Sequence, residues 1–113
     1  MTARLTSQTL IGALVRRVQA AGGTAMILHK GESIAGTILV QLLDRGANLG
    51  LVERVTGLSG RTELVPSGPR NDGQDTDISS YIERRIRIDP DIWIVELDVA
   101  EGQQLAADIL CSA

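Results

Sequence analysis

Residues 34–65 have the sequence IAGTILVQLLDRGANLGLVERVTGLSGRTELV, in which apolar, β-branched runs alternate with turn residues. Such runs are typical of β-strands when glycine, asparagine and aspartate bound them. The runs are Ile34–Leu43, Leu49–Thr56 and Arg61–Val65, and the turns between them are Asp44–Asn48 and Gly57–Gly60. Because short turns join antiparallel neighbours, we expect these strands to pair in the order in which they occur.

The segment before this meander predicts one more strand and one helix. Thr24–His29 is a short apolar run and Gly31–Ser33 has the composition of a tight turn, so we expect a meander of four strands. Ser7–Ala21 is predicted to be a helix that Ser7 caps and Gly22–Gly23 ends. Its apolar stripe consists of Leu10, Ile11, Leu14, Val15 and Val18.

The segment after the meander completes an α+β pattern. Pro66–Asp77 is predicted to be an exposed loop, with Thr76 or Asp77 capping the next helix. We expect that helix at about Ile78–Arg87, a fifth strand at Asp91–Val99 and a last helix at Glu101–Leu110. The order α-β-β-β-β-α-β-α predicts one α+β domain over residues 1–113. It has an antiparallel sheet of about five strands and helices packed across one face.

Two motifs resemble a known family. Tyr81–Asp98, YIERRIRIDPDIWIVELD, resembles the signature of a family of small uncharacterised proteins of alphaproteobacteria. Leu14–Gly23, LVRRVQAAGG, is similar to the front end of the same family. The resemblance covers most of the chain. It implies a small bacterial cytoplasmic protein and carries no activity, because the family is a domain of unknown function.

The composition excludes several kinds of site. The chain has one cysteine, Cys111, and one histidine, His29, which excludes an intramolecular disulfide, zinc-finger and iron–sulfur sites, and multi-histidine metal sites. The N-terminus lacks the apolar core of a signal peptide, and no apolar run approaches the ~20 residues that cross a bilayer. We therefore expect a cytoplasmic protein without a membrane segment, a cofactor or a metal.

The charge balance makes nucleic-acid binding the less favoured alternative. The net charge is −3, whereas charge-driven nucleic-acid binding needs a basic domain. Tyr81 and Trp93 are the only aromatic residues, too few for a platform on which bases stack. Nucleic-acid or anion binding would therefore depend on a local cluster of arginines, formed by Arg84 and its neighbours together with Arg16 and Arg17.

The end of the second helix holds the candidate binding site. Three arginines precede two aspartates there, and Trp93 follows them on the apolar face of the fifth strand. Guanidinium groups can bind a phosphate or a partner's carboxylate in bidentate fashion. They can equally complement the helix dipole and pair with the aspartates, and Trp93 can be a core residue or an interface anchor. The candidate binding residues are Arg84, Arg85, Arg87, Asp89, Asp91 and Trp93.

A hydrolytic site is the weakest alternative. Asp89 and Asp91 lie close in sequence to Glu96 and Asp98, which share a strand face, and paired carboxylates can hold a divalent cation. An enzyme would require a pocket that holds at least two groups from these carboxylates and His29. No nucleophile motif accompanies His29, so we assign no catalytic residue.

These observations favour a non-enzymatic protein-interaction module or accessory subunit. We expect its surface to be the Arg84–Asp91 end of the second helix with the 66–77 loop beside it, and docking to combine charge complementarity with a modest apolar centre. The protein partner is not identified by the sequence. An exposed apolar edge in the meander could also support a homodimer.

Overall fold

The computed structural model describes residues 5–69 and 75–111. Three helices and five strands follow one another in the predicted order, which confirms the α+β class. They are α1 (Ser7–Ala20), β1 (Thr24–His29), β2 (Ile38–Asp44), β3 (Ala47–Thr56), β4 (Thr62–Ser67), α2 (Asp75–Ile88), β5 (Trp93–Asp98) and α3 (Gly102–Leu110). No helix of the described residues is long and apolar enough to cross a membrane.

The five strands form one sheet in the order β1-β5-β2-β3-β4. β2, β3 and β4 form the predicted antiparallel meander. The prediction that β1 extends this meander is wrong, because β5 lies between β1 and β2. β5 pairs antiparallel with β1 and parallel with β2, so the sheet is mostly antiparallel with one parallel pair at its centre.

The connection between β1 and β2 explains this arrangement. Residues 30–37 do not form a tight turn but cross the end of β5. The backbone N–H of Glu32 donates to the Asp91 carbonyl (2.9 Å), and that of Trp93 donates to the Thr37 carbonyl (2.7 Å). Gly31 must be glycine here, because a Cβ atom would lie 2.3 Å from the Asp91 carbonyl oxygen. The loop therefore holds β1 and β2 one strand apart.

The two faces of the sheet carry different helices. On the first face, α1 and α3 pack over every second side chain of β5, beginning with Trp93. This alternation matches the predicted apolar face of the strand. On the second face, Ile78 of α2 packs against Ile92 and Ile94. The expected packing of helices on one face therefore holds for α1 and α3, whereas α2 covers the other. The reason is that the second face is apolar at Ile92 and Ile94, where β5 begins, and needs cover there.

Several boundaries differ from the predicted ones. β2 begins at Ile38, because the four residues before it belong to the crossing loop. Thr6, not Ser7, caps α1: its hydroxyl accepts from the N–H of Thr9 (3.2 Å), while buried Ser7 donates its hydroxyl to the Gly36 carbonyl (2.7 Å). β4 extends to Ser67 and α2 begins at Asp75, before the expected caps. The middle of the predicted loop, residues 70–74, lies outside the described residues.

Candidate functional site

The three arginines at the end of α2 do not share one role. Arg85 turns toward the sheet, where its Nη1 donates to Glu53 Oε1 of β3 (2.7 Å) and to the Tyr81 hydroxyl (2.8 Å). Ser67 of β4 joins the same group, with its hydroxyl 2.7 Å from that of Tyr81. The hydrogen bond with Glu53 raises the pKa of Arg85 despite partial burial. Arg85 therefore fastens α2 to β3 and β4.

The other two arginines are exposed and precede an exposed apolar residue at the end of α2. The Arg84 guanidinium lies 5.4 Å from the centre of the Tyr81 ring, which gives a cation–π contact. Within the described part of the chain, Arg87 forms no hydrogen bond or ion pair. Ile88, the last residue of α2, is 74% exposed. We call Arg84, Arg87 and Ile88 the arginine patch.

The two aspartates that follow α2 shape a turn. The Asp89 carboxylate accepts from the N–H of Asp91 (3.1 Å), and its carbonyl accepts from the N–H of Ile92 (3.2 Å). Among the described residues, neither aspartate forms an ion pair with an arginine; the one ion pair there joins Arg85 to Glu53. Asp89 and Asp91 therefore join α2 to β5, and Asp89 directly follows the arginine patch in sequence.

Trp93 lies in the core, as one of its two interpretations predicted. It is 2% exposed, and its Nε1 donates to the Glu32 carbonyl (2.7 Å).

Glu32 itself was missed at the level of sequence. Its carboxylate accepts from the N–H groups of Ile34 (2.6 Å) and Ala35 (3.0 Å), and these bonds lower the pKa of Glu32. A single glutamate in a glycine-flanked segment gave no signal of this role.

The remaining carboxylates and His29 are dispersed. Asp98 accepts from the backbone N–H groups of Arg45 (2.8 Å) and Gly46 (3.0 Å), both of which have positive φ, and so fixes the β2–β3 turn. His29 Nδ1 lies 2.7 Å from the Ile92 carbonyl oxygen. Within residues 5–69 and 75–111, no three histidine, cysteine or acidic side chains come together as metal ligands.

Two grooves flank β1, one on each face of the sheet. The α2 groove, about 410 Å³, lies between α2 and the sheet, with Leu28 of β1 and Glu96 of β5 in its lining. The α1 groove, about 630 Å³, lies between α1 and β1, with Ile27 and Arg16 in its lining. Glu96 is the only one of the five candidate enzymatic groups that lines either groove.

The arginines of α1 do not join those of α2. Arg16 and Arg17 belong to a helix on the first face of the sheet, and Arg84 belongs to the helix on the second face. The extended basic surface required by the nucleic-acid alternative is therefore not formed by these residues.

Residues 5–107 match the family described as "Protein of unknown function (DUF1491)". A crystal structure of a DUF1491 protein from Caulobacter crescentus CB15 is 31% identical, with a TM-score of 0.79 over 90% of this chain and 94% of that chain. A solution structure from A. tumefaciens is 32% identical, with a TM-score of 0.69 over 92% of this chain and 94% of that chain. These bacteria are alphaproteobacteria, which confirms the resemblance. No curated protein matches the chain.

Proposed function

Because the chain belongs to the DUF1491 family, whose function is unknown, we propose its role from the surface itself: a protein-interaction module or accessory subunit of the bacterial cytoplasm. The observation that carries the proposal is the arginine patch. Ile88, which ends α2, is 74% exposed. The exposed guanidinium groups of Arg84 and Arg87 lie four residues and one residue before it in the sequence. An apolar centre with a charged rim is the usual composition of a docking surface.

The support beneath the patch strengthens the proposal. Arg85 binds Glu53 and Tyr81 underneath the same helix turn, and Tyr81 also contacts the guanidinium of Arg84. A surface that is already fixed loses little conformational entropy when a partner binds. The different roles of the three arginines therefore favour docking on a rigid helix end.

The chemistry of the patch specifies its partner in general terms. Exposed guanidinium groups attract carboxylates and speed encounter with an acidic surface, and Ile88 requires an apolar contact at the centre. We expect a protein with an acidic rim around one or two apolar side chains. Nucleic acid would use the same guanidinium groups but would leave Ile88 without a role.

The test is a pull-down of tagged protein from native lysate, with and without nuclease. The Arg84→Glu/Arg87→Glu variant and the Ile88→Ser variant should each lose a specific protein that the wild type retains. The matched control is Arg16→Glu/Arg17→Glu, which makes the same charge change on α1 and should retain that protein. Urea unfolding followed by the fluorescence of Trp93 verifies that each variant folds.

Two outcomes would overturn the proposal. If folded patch variants retain the same protein as the wild type, the arginine patch is not the docking surface. If the retained material disappears with nuclease, and Ile88→Ser has no effect, the guanidinium groups bind nucleic acid instead. Because phosphate contacts weaken steeply with salt, a salt titration separates these cases independently.

A further inference from the structure

The two edges of the sheet differ in how well they are protected against pairing with another strand. The β4 edge contains Pro66, which has no N–H to donate, and the exposed charge of Glu63. Proline and charge are the usual devices that keep an edge strand from pairing. The β1 edge has neither, because Thr24–Leu28 is an uncharged segment without proline; its one irregularity is a shift in register with β5 between Ile27 and His29, near the end of the strand. β1 pairs with β5 on one side, and no described strand lies on its other side.

β1 also exposes apolar side chains on both faces of the sheet. Met26 is 61% exposed, Ile27 46% and Leu28 40%. Ile27 lines the α1 groove and Leu28 lines the α2 groove, so neither helix covers its own side of the strand completely. A strand added beside β1 would cover apolar surface on both faces while pairing the free backbone groups.

We infer that β1 pairs with β1 of a second copy of the chain, antiparallel, about a two-fold axis that passes beside Met26. A two-fold axis perpendicular to the sheet keeps each face on its own side, and directly opposed residues of an antiparallel pair share a face. Met26 then opposes Met26 of the other copy and Ala25 opposes Ile27, and the regular pairing ends there because the register of β1 shifts between Ile27 and His29. The two five-stranded sheets become one continuous sheet.

The sequence of β1 is compatible with itself in this register. None of the directly opposed residues is charged. Lys30 lies beyond the paired segment, alongside Gly22 and Gly23 of the other copy, which present no side chain to it. An interface of one short strand pair is far smaller than the ~1,600 Å² of a standard stable complex, so the dimer is expected to dissociate on dilution.

The first test is sedimentation equilibrium over a range from micromolar to millimolar protein. The wild type should rise from the mass of one chain toward that of two. Met26→Lys should remain at the mass of one chain, because it brings two like charges together at the axis. The matched control is Leu58→Lys, at a fully exposed position between β3 and β4, which should dimerise like the wild type. A wild type that stays monomeric throughout, or a Met26→Lys variant that dimerises equally, overturns the inference.

The second test examines the register by disulfide cross-linking. Opposed residues have Cβ atoms about 4.5–5.5 Å apart, close to the span of a disulfide. In a Cys111→Ser background, Met26→Cys should cross-link two copies under mild oxidation, whereas Leu58→Cys should not. A dimer that fails to cross-link at Met26, or that cross-links equally at Leu58, contradicts this register. The Arg84→Glu/Arg87→Glu variant should cross-link normally, so this result is independent of the arginine patch.

Discussion

Glu32 connects the loop between β1 and β2 to the start of β5. Its carboxylate holds the backbone N–H groups of Ile34 and Ala35, and its own backbone bonds to Asp91 and to the indole of Trp93. These bonds fix the loop that separates β1 from β2. The charge of this partly exposed side chain thus supports the loop that crosses the end of β5.

We predict that Glu32→Gln lowers the stability of the protein at neutral pH and has less effect in acid. The bonds to Ile34 and Ala35 lower the folded-state pKa of Glu32 from its ordinary value of 4.5. A carboxylate with a lowered folded-state pKa contributes stability above its ordinary pKa, and this contribution is lost as the pH falls through the folded-state value. The urea midpoint of Glu32→Gln should be lower than that of the wild type at neutral pH. This difference between the two midpoints should become smaller at a pH below the folded-state pKa of Glu32.

The control for this prediction is Glu63→Gln, which removes an exposed carboxylate from β4. Its urea midpoint should stay close to that of the wild type at neutral pH. If Glu32→Gln leaves the midpoint unchanged at neutral pH, the carboxylate does not hold the loop. If the difference persists undiminished in acid, its cause is not the charge of Glu32.

At the scale of elements, α2 is fastened to the sheet by two kinds of contact. Ile78 packs on the apolar second face, and Arg85 forms the polar group with Glu53, Tyr81 and Ser67. The polar group lies toward the end of α2, and the residues of the arginine patch belong to the same last turns of the helix. Loss of the polar group would therefore loosen the end of α2 that carries the patch.

A double-mutant cycle with Arg85→Met and Glu53→Gln should give a coupling free energy of unfolding of about 1 kcal/mol. Both side chains are mostly buried, at 20% and 22% exposure, so solvent screens this pair less than an exposed one. The matched control is Arg84→Met, on the exposed side of the same helix turn, which should change stability by less than about 0.5 kcal/mol. If the changes in unfolding free energy of the two single variants add up to that of the double variant, the ion pair does not fasten α2.

At the scale of the whole molecule, β2 and β5 should be the most protected part of the backbone. β2 and β5 are paired on both sides, and Leu39, Val40, Ile94 and Val95 are fully buried. Local openings require less free energy at edges than at the centre of a sheet. We predict that backbone amides of β2 and β5 exchange with solvent most slowly, and that β1 exchanges faster in dilute protein.

Hydrogen exchange measured by NMR spectroscopy at several low urea concentrations checks this prediction. Exchange of the central amides should accelerate with urea, as global unfolding does, whereas exchange of the β1 amides should depend on urea weakly. Equal, urea-dependent exchange of β1 and β5 would contradict it, because the two strands would then open only together.

The fold was predictable from sequence as far as local patterns determine it. Alternation of apolar residues identified the strands, and turn residues identified the β2–β3–β4 meander. The place of β5 was not predictable, because its pairing with β1 joins residues far apart in sequence and the glycines of the crossing loop resemble those of a tight turn. One available signal was misinterpreted: Ile92 and Ile94 make the second face apolar where β5 begins, which indicates cover on both faces.

The candidate site was predictable in position but not in detail. Helical spacing places Arg85 four residues after Tyr81, on the side of α2 that faces the sheet, and places Arg84 and Arg87 elsewhere. The partner of Arg85 is Glu53 in β3, and no local pattern connects these two residues. The exposure of Ile88 follows from the end of the helix, which the sequence places only approximately.

The place of β5 at the centre of the sheet has a consequence for synthesis on the ribosome. β1 and β2 are made early, yet the strand that joins them is made after all the other strands. Until β5 emerges, the nascent chain carries a β2–β3–β4 meander whose β2 edge is unpaired, and a β1 segment that has no strand to pair with. Most of the chain must therefore wait for its last strand, and the sheet is completed only once residues up to Asp98 have left the ribosome.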